Sequence, residues 1–190
     1  MWQQIRTAVT LFILISLITG VIYPFLTTGL AQVLFPRQAN GSLIEITDKK
    51  TASELIGQPF QGPGYFWGRP SATTPFAYNA ASSTGSNLGP SNPDLLAVVR
   101  MRITALRAAD PENRLPIPVD LVTASGSGVD PHISPAAALY QVARIAKARG
   151  IDENKIADLV WRHIRERQLG IFGEPTVHVL RLNMALDALH

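Results

Sequence analysis

Between Thr7 and Pro36 the chain carries no Asp, Glu, Lys or Arg, a run of 30 residues. Every charged residue except Arg6 lies from Arg37 onward. At ~1.5 Å rise per residue, Leu11 to Leu34 would span about 36 Å as a helix, more than the ~30 Å hydrocarbon core of a bilayer. A helix apolar on all sides has no face to offer water, so lipid is its natural solvent. A cleaved leader would need only Arg6, an apolar stretch to Ile22 and a Gly29-Leu30-Ala31 processing site. The apolar run continues well past the ~7–15 residues of such a leader, which favours an uncleaved anchor. Residues 1–36 are therefore read as a transmembrane anchor and 37–190 as one soluble domain. Ser16 and Gly20 share a helix face and would let another helix approach closely. Pro24 frees the carbonyl of Gly20 and predicts a kink. The membrane orientation rests on Arg6 at one side against Arg37, Lys49 and Lys50, diluted by Glu45 and Asp48, at the other. That balance is nearly even, and a large domain can translocate regardless of charge. The expected topology is N-terminus inside and domain outside.

The soluble part reads as mixed α/β and helix-rich. Asn92-Pro93-Asp94 and Ser134-Pro135 have the form of helix caps. From the first, Leu96, Val99, Ile103 and Leu106 make one apolar stripe. The second helix would run to Gly150 and bury Leu139, Val142 and Ile145 or Ala146. A third is expected from Asp152 through Ile164, fraying over Arg165-Glu166-Arg167. A fourth spans Val179 to Leu189. Strand candidates are Ser42–Ile46, Tyr65–Trp67 and Val119–Thr123. Residues 58–93 are rich in Gly, Pro, Ser and Asn, yet hold Phe66, Trp67, Phe76 and Tyr78. Disordered segments are poor in aromatics, so this stretch is expected to be an ordered loop packed by its own side chains.

Few enzymatic signatures fit. With 17 Lys plus Arg against 14 Asp plus Glu, the net charge of +3 is too small for a nucleic-acid surface. The chain has no cysteine, which excludes disulfides, thiolate nucleophiles and Cys-ligated metals. No Gly precedes Lys, so there is no phosphate-binding P-loop of the Walker type. Gly62-Pro63-Gly64 begins like a dinucleotide fingerprint, but Trp67 stands where the next glycine belongs. Four histidines form no metal-binding pattern; His163 and Glu166 are one helical pair only. Ser125 and Ser127, followed by Asp130 and His132, suggest a hydrolase. They lack the G-x-S-x-G elbow, and Gly126, Gly128 and Asp130-Pro131 read more simply as a turn.

Several blocks resemble one family across nearly the whole chain. Gly64-Tyr65-Phe66-Trp67-Gly68-Arg69-Pro70-Ser71-Ala72 is one, and Ser86-Asn87-Leu88-Gly89 followed by Asn92-Pro93 a second. The third runs from Pro118 through Val119-Asp120-Leu121-Val122-Thr123-Ala124-Ser125-Gly126-Ser127-Gly128 to Asp130-Pro131-His132-Ile133-Ser134-Pro135. Leu169-Gly170-Ile171-Phe172-Gly173-Glu174 and Leu180-Arg181-Leu182-Asn183-Met184-Ala185-Leu186-Asp187 complete the set. Together with the anchor they resemble the C subunit of the Kdp potassium-transporting P-type ATPases, with His178 where that family more often has Asn.

The resemblance implies a non-catalytic accessory subunit in a bacterial-type plasma membrane. Its partners would be a channel-like potassium-binding subunit and an ATP-hydrolysing P-type subunit, besides membrane lipid, with no nucleic acid. It would bind no cofactor directly, ATP and K⁺ being handled by the partners, and would act as a catalytic chaperone raising ATP affinity. A Ser-Gly stretch likened in the family to an ABC-type signature corresponds to Ser83-Thr84-Gly85-Ser86-Asn87. Ser16, Gly20 and Pro24 are candidates for helix packing, and Phe66, Trp67 and Arg69 for a partner interface. The competing expectations are a membrane-anchored or secreted serine hydrolase using Ser125 or Ser127, and a single-pass binding or sensor module.

Overall fold

The computed structural model describes residues 1–46 and 50–189, and it divides into two compact units, Met1–Glu45 and Ile46–His190. Asp48 and Lys49, weighed above for orientation, lie outside the described residues, as does the side chain of Lys50.

The first unit is dominated by one apolar helical rod, Trp2–Leu34, long enough to cross a membrane, with none of its spanning window buried within the protein. It consists of α1 (Trp2–Leu17), a five-residue π turn (Ile18–Ile22) and α2 (Tyr23–Leu34). The wide turn sits just before Pro24, where the missing amide of a proline removes an ordinary i→i−4 bond. Tyr23 N–H instead donates to Ile18 O, five residues back. Thr7, Thr10, Thr19 and Thr27 return their hydroxyls to the carbonyls of Gln3, Arg6, Ile15 and Tyr23. These four hydroxyls are thus satisfied without water, as hydrocarbon requires. A short α3 (Pro36–Ala39) and strand β1 (Leu43–Ile46) follow.

The second unit holds β2 (Lys50–Ser53), α4 (Pro93–Ala109), a 3₁₀ turn (Val119–Leu121), β3 (His132–Ile133), α5 (Pro135–Tyr140), α6 (Val142–Arg149), α7 (Glu153–Arg162), β4 (Ile164–Arg165), β5 (Thr176–His178) and α8 (Val179–Asp187). β5 is the centre of a three-stranded antiparallel sheet, pairing Ile133 and Ile164 to opposite sides of Val177. Ile145, Ile156, Val160, Val177, Leu182 and Leu186 are fully buried where α5–α8 meet this sheet. The expected caps form: Asn92 Oδ1 accepts from Asp94 N–H, Ser134 Oγ from Ala137 N–H and Asp152 Oδ1 from Asn154 N–H.

Four expectations are corrected. The helix from Ser134 breaks at Gln141, whose backbone N–H bonds Ala138 O while its own Nε2 takes Ala137 O. The helix from Asp152 stops at Arg162, and Ile164 and Arg165 are a strand, because they pair with β5. Val119–Leu121 is a 3₁₀ turn, with Val122 N–H bonded to Val119 O. Tyr65–Trp67 is no strand; helix side chains, not a neighbouring strand, take its backbone groups. In α4 the stripe buries only at its C-terminal end: Leu106 is in the core, Val99 and Ile103 pack against it, and Leu96 is exposed.

Candidate functional site

The Gly/Pro-rich loop is ordered by the helices behind it. Phe66 N–H donates to Asn183 Oδ1 (2.8 Å) and Phe66 O accepts from Asn183 Nδ2 (3.0 Å). Trp67 N–H donates to Gln141 Oε1 (2.8 Å), and Gln141 Nε2 returns a bond to Trp67 O (3.1 Å). Each carboxamide therefore does for one residue what a partner strand does for a ladder. Arg144 donates to the carbonyls of Pro63 and Tyr65 and lies over the Trp67 ring, 4.1 Å from its centroid. Burial lowers its pKa to about 10, still far above neutrality. Arg149 likewise donates to Gly64 O, pairs with Asp187 at 2.6 Å and covers Tyr65.

The Phe66 side chain is 0% exposed and belongs to the hydrophobic core. Its expected place in a partner surface is corrected: a ring removed from water by its own domain has no area left to offer. Trp67 is half-buried against that core, and Trp67 and Arg69 line a cleft of about 360 Å³ with Phe60, Tyr78 and Arg102. Arg69 pairs with Asp130 at 3.4 Å. Tyr78 donates its hydroxyl to Arg69 O at 2.6 Å, and burial, with the nearby Asp130 charge, pushes its pKa up to about 12.

Two Ser-Gly segments far apart in sequence meet beside this cleft. Pro70–Ala72 and Ser125 bond to each other, Ala72 N–H to Ser125 O and Ser125 N–H to Pro70 O. Ser83 Oγ accepts from Gly128 N–H at 3.0 Å. A Cβ on Gly128 would lie 2.0 Å from Asn79 O, and one on Gly126 would lie 3.2 Å from Gly85 Cα. The glycines are there because two backbones touch. Within Ser83–Asn87, Ser83, Gly85, Ser86 and Asn87 are exposed, and Asn87 has φ +53°.

The serines of the hydrolase reading cap turns. Ser125 Oγ accepts from Ser127 N–H and Ser127 Oγ from Val129 N–H. Asp130 receives His132 N–H and Arg69, while the His132 ring meets the edge of His178, centroids 5.1 Å apart. Among the described residues no hydrogen bond joins either serine to His132. A cleft of about 580 Å³ opens at this histidine pair, lined also by Glu54, Arg162, His163, Arg165 and Arg181. His178 Nε2 donates to Glu54 O and its Nδ1 accepts from Arg181 N–H, so it caps α8. Burial lowers the pKa of both rings, and for His132 the neighbouring His178 lowers it further. No group of three or more metal-ligating side chains occurs among the described residues.

Ser16, Gly20 and Pro24 lie exposed on the apolar rod, and nothing approaches within 4 Å of a Cβ built on Gly20. An apolar rod joined to a mixed α/β domain whose clefts are lined by arginines defines a class: a membrane-anchored α/β protein. The family model for the c chain of the K⁺-transporting ATPase (KdpC) matches residues 5–188, and the chain belongs to that family. It is 61% identical over 189 residues to the potassium-transporting ATPase KdpC subunit of Methylococcus capsulatus, covering 100% of each chain. With the corresponding subunit of Dechloromonas aromatica it shares 57% identity, covering 97% of both. With that of Herpetosiphon aurantiacus it shares 60%, covering 97% of this chain and 95% of the relative.

Proposed function

We propose that this chain is a non-catalytic accessory subunit of an ATP-driven potassium importer, holding a channel-like subunit and an ATP-hydrolysing P-type subunit in one assembly. The observation that carries the reading is the family match from residue 5 to 188, which takes in the apolar rod and the domain together. In this reading the rod packs on partner helices through Ser16 and Gly20, the π turn before Pro24 shaping that contact. The domain lies on the extracytoplasmic side of a bacterial plasma membrane, with Trp67 and Arg69 at the rim of a partner-facing cleft. ATP and K⁺ are bound by the partners, and the chain raises ATP affinity indirectly. The Ser83–Asn87 turn acts through its fit to Gly126 and Gly128, since its neighbours are backbone and hydroxyl groups and not lysines or a P-loop.

The test is the complex purified with and without this chain. A tag on the chain should bring down two large membrane proteins with K⁺-stimulated ATPase activity, and omitting the chain should raise the KM for ATP. The isolated full chain in detergent should bind no ATP analogue at millimolar concentration. Saturable binding would overturn the indirect mechanism, and elution of the chain alone would overturn the subunit reading. Loss of an intrinsic hydrolytic activity in Ser125→Ala or Ser127→Ala would favour the hydrolase instead.

A further inference from the structure

The loop between β4 and β5 ends in a tip that the domain itself does not use. Leu169, Ile171 and Phe172 are 88%, 72% and 63% exposed, three large apolar side chains within four residues. Such a cluster on the surface marks an interaction site. The tip is also built rigidly. Arg167 and Glu174 pair across its base at 2.6 Å, and Gln168 and Phe172 exchange both backbone bonds at 2.9 Å. Gly170 N–H and Ile171 N–H close the turn on Arg167 O and Gln168 O. Leu169 holds φ +53°, a conformation that costs a non-glycine residue about 1 kcal/mol or more, with no burial to offset it.

Beside the tip, Phe172 shares a hollow of about 350 Å³ with His132, Arg165, Glu166 and Glu174. Arg181 is bound to Glu54 and Arg167 to Glu174. Among the described residues Arg162 and Arg165 make no ion pair. We propose that the Leu169–Phe172 tip and the Arg162/Arg165 edge form one docking surface for a partner subunit that presents an apolar pocket rimmed by carboxylates. The apolar tip supplies the buried centre and the arginines the orientation. This assignment rests on the accessory-subunit reading and moves the contact away from Phe66.

The experiment uses the tagged full chain in its complex. A photo-crosslinking amino acid in place of Ile171 should give an adduct with a large membrane subunit. Ile171→Ser/Phe172→Ser should lower retention of the partners at least about tenfold, with the unfolding midpoint of the chain unchanged, because neither side chain is buried. Leu115→Ser, at an exposed apolar residue elsewhere, is the control. Arg162→Glu/Arg165→Glu should lower retention most at low salt. Adducts with lipid only, no adduct, or retention equal to the control would overturn the proposal while the subunit reading stands. Failure of the unaltered chain to retain any partner would overturn both.

Discussion

Asn183→Leu removes both hydrogen bonds that hold Phe66 while nearly preserving side-chain volume. Asn183 and Phe66 are each 1% exposed or less, so water cannot replace the lost partner. An orphaned buried donor or acceptor costs ~1–3 kcal/mol, and here one of each is orphaned. The buried leucine returns part of that as apolar burial, which leaves a net loss of about 2–4 kcal/mol. For a domain of this size ~1 kcal/mol moves the midpoint by about 2–4 °C, so the melt should fall by roughly 5–15 °C. The assay is thermal unfolding of the full chain in detergent, followed by tryptophan fluorescence, with near-ultraviolet circular dichroism as a second probe. Trp67 follows Phe66 directly, so its emission should report the loosened segment. A midpoint within about 2 °C of the unaltered chain would refute the idea that the carboxamide stands in for a strand.

Phe66→Ala should cost about 3–5 kcal/mol by leaving a cavity in the core, measured by the same melt. Gly128→Ala should part the two Ser-Gly segments, since the added methyl would strike Asn79 O. Faster proteolysis within residues 79–87 than in the unaltered chain would report it. The folded pKa values of His132 and His178 are both depressed, so the unfolded chain takes up protons first as pH falls. Their stabilising contribution is therefore present above about pH 6.5 and is lost as pH falls through the folded values. Melting curves from pH 8 to 5 should show this slope, and His178→Asn should flatten it while still capping α8.

The anchor and three helix starts were legible because charge, Pro and capping residues act within a few positions of themselves. Asn92, Ser134 and Asp152 each bond an amide two or three residues on. The strands β3, β4 and β5 were missed because each spans only two or three residues, too short for an alternating pattern to register. Pairing with β5 also turned Ile164 and Arg165 away from the helix that their spacing favoured. The aromatic loop was expected to be ordered by its own side chains. Ser71, Thr73, Tyr78 and Asn79 do bond within it, but the Phe66–Trp67 stretch is held by Gln141, Arg144 and Asn183, whose sequence positions carry no mark of the loop they hold. For the candidate surfaces, Phe66 and Trp67 looked alike in sequence, but only the fold separates a buried ring from a half-buried one. The apolar Leu169–Phe172 tip stood in a quoted block, yet nothing in its composition told surface from core.

The bonds between Phe66 and Asn183 join residues 117 positions apart, and those between Trp67 and Gln141 join residues 74 apart. Such distant closures are entropically late events in folding. A chain emerging N-terminus first has its anchor complete long before α8 exists. Through that interval the segment at Phe66 has neither its apolar cover nor its hydrogen-bond partners. The domain is accordingly sealed from its far end: until Asn183 has emerged, the middle of the chain remains open to proteases and to premature association, and a break anywhere before α8 leaves it open permanently.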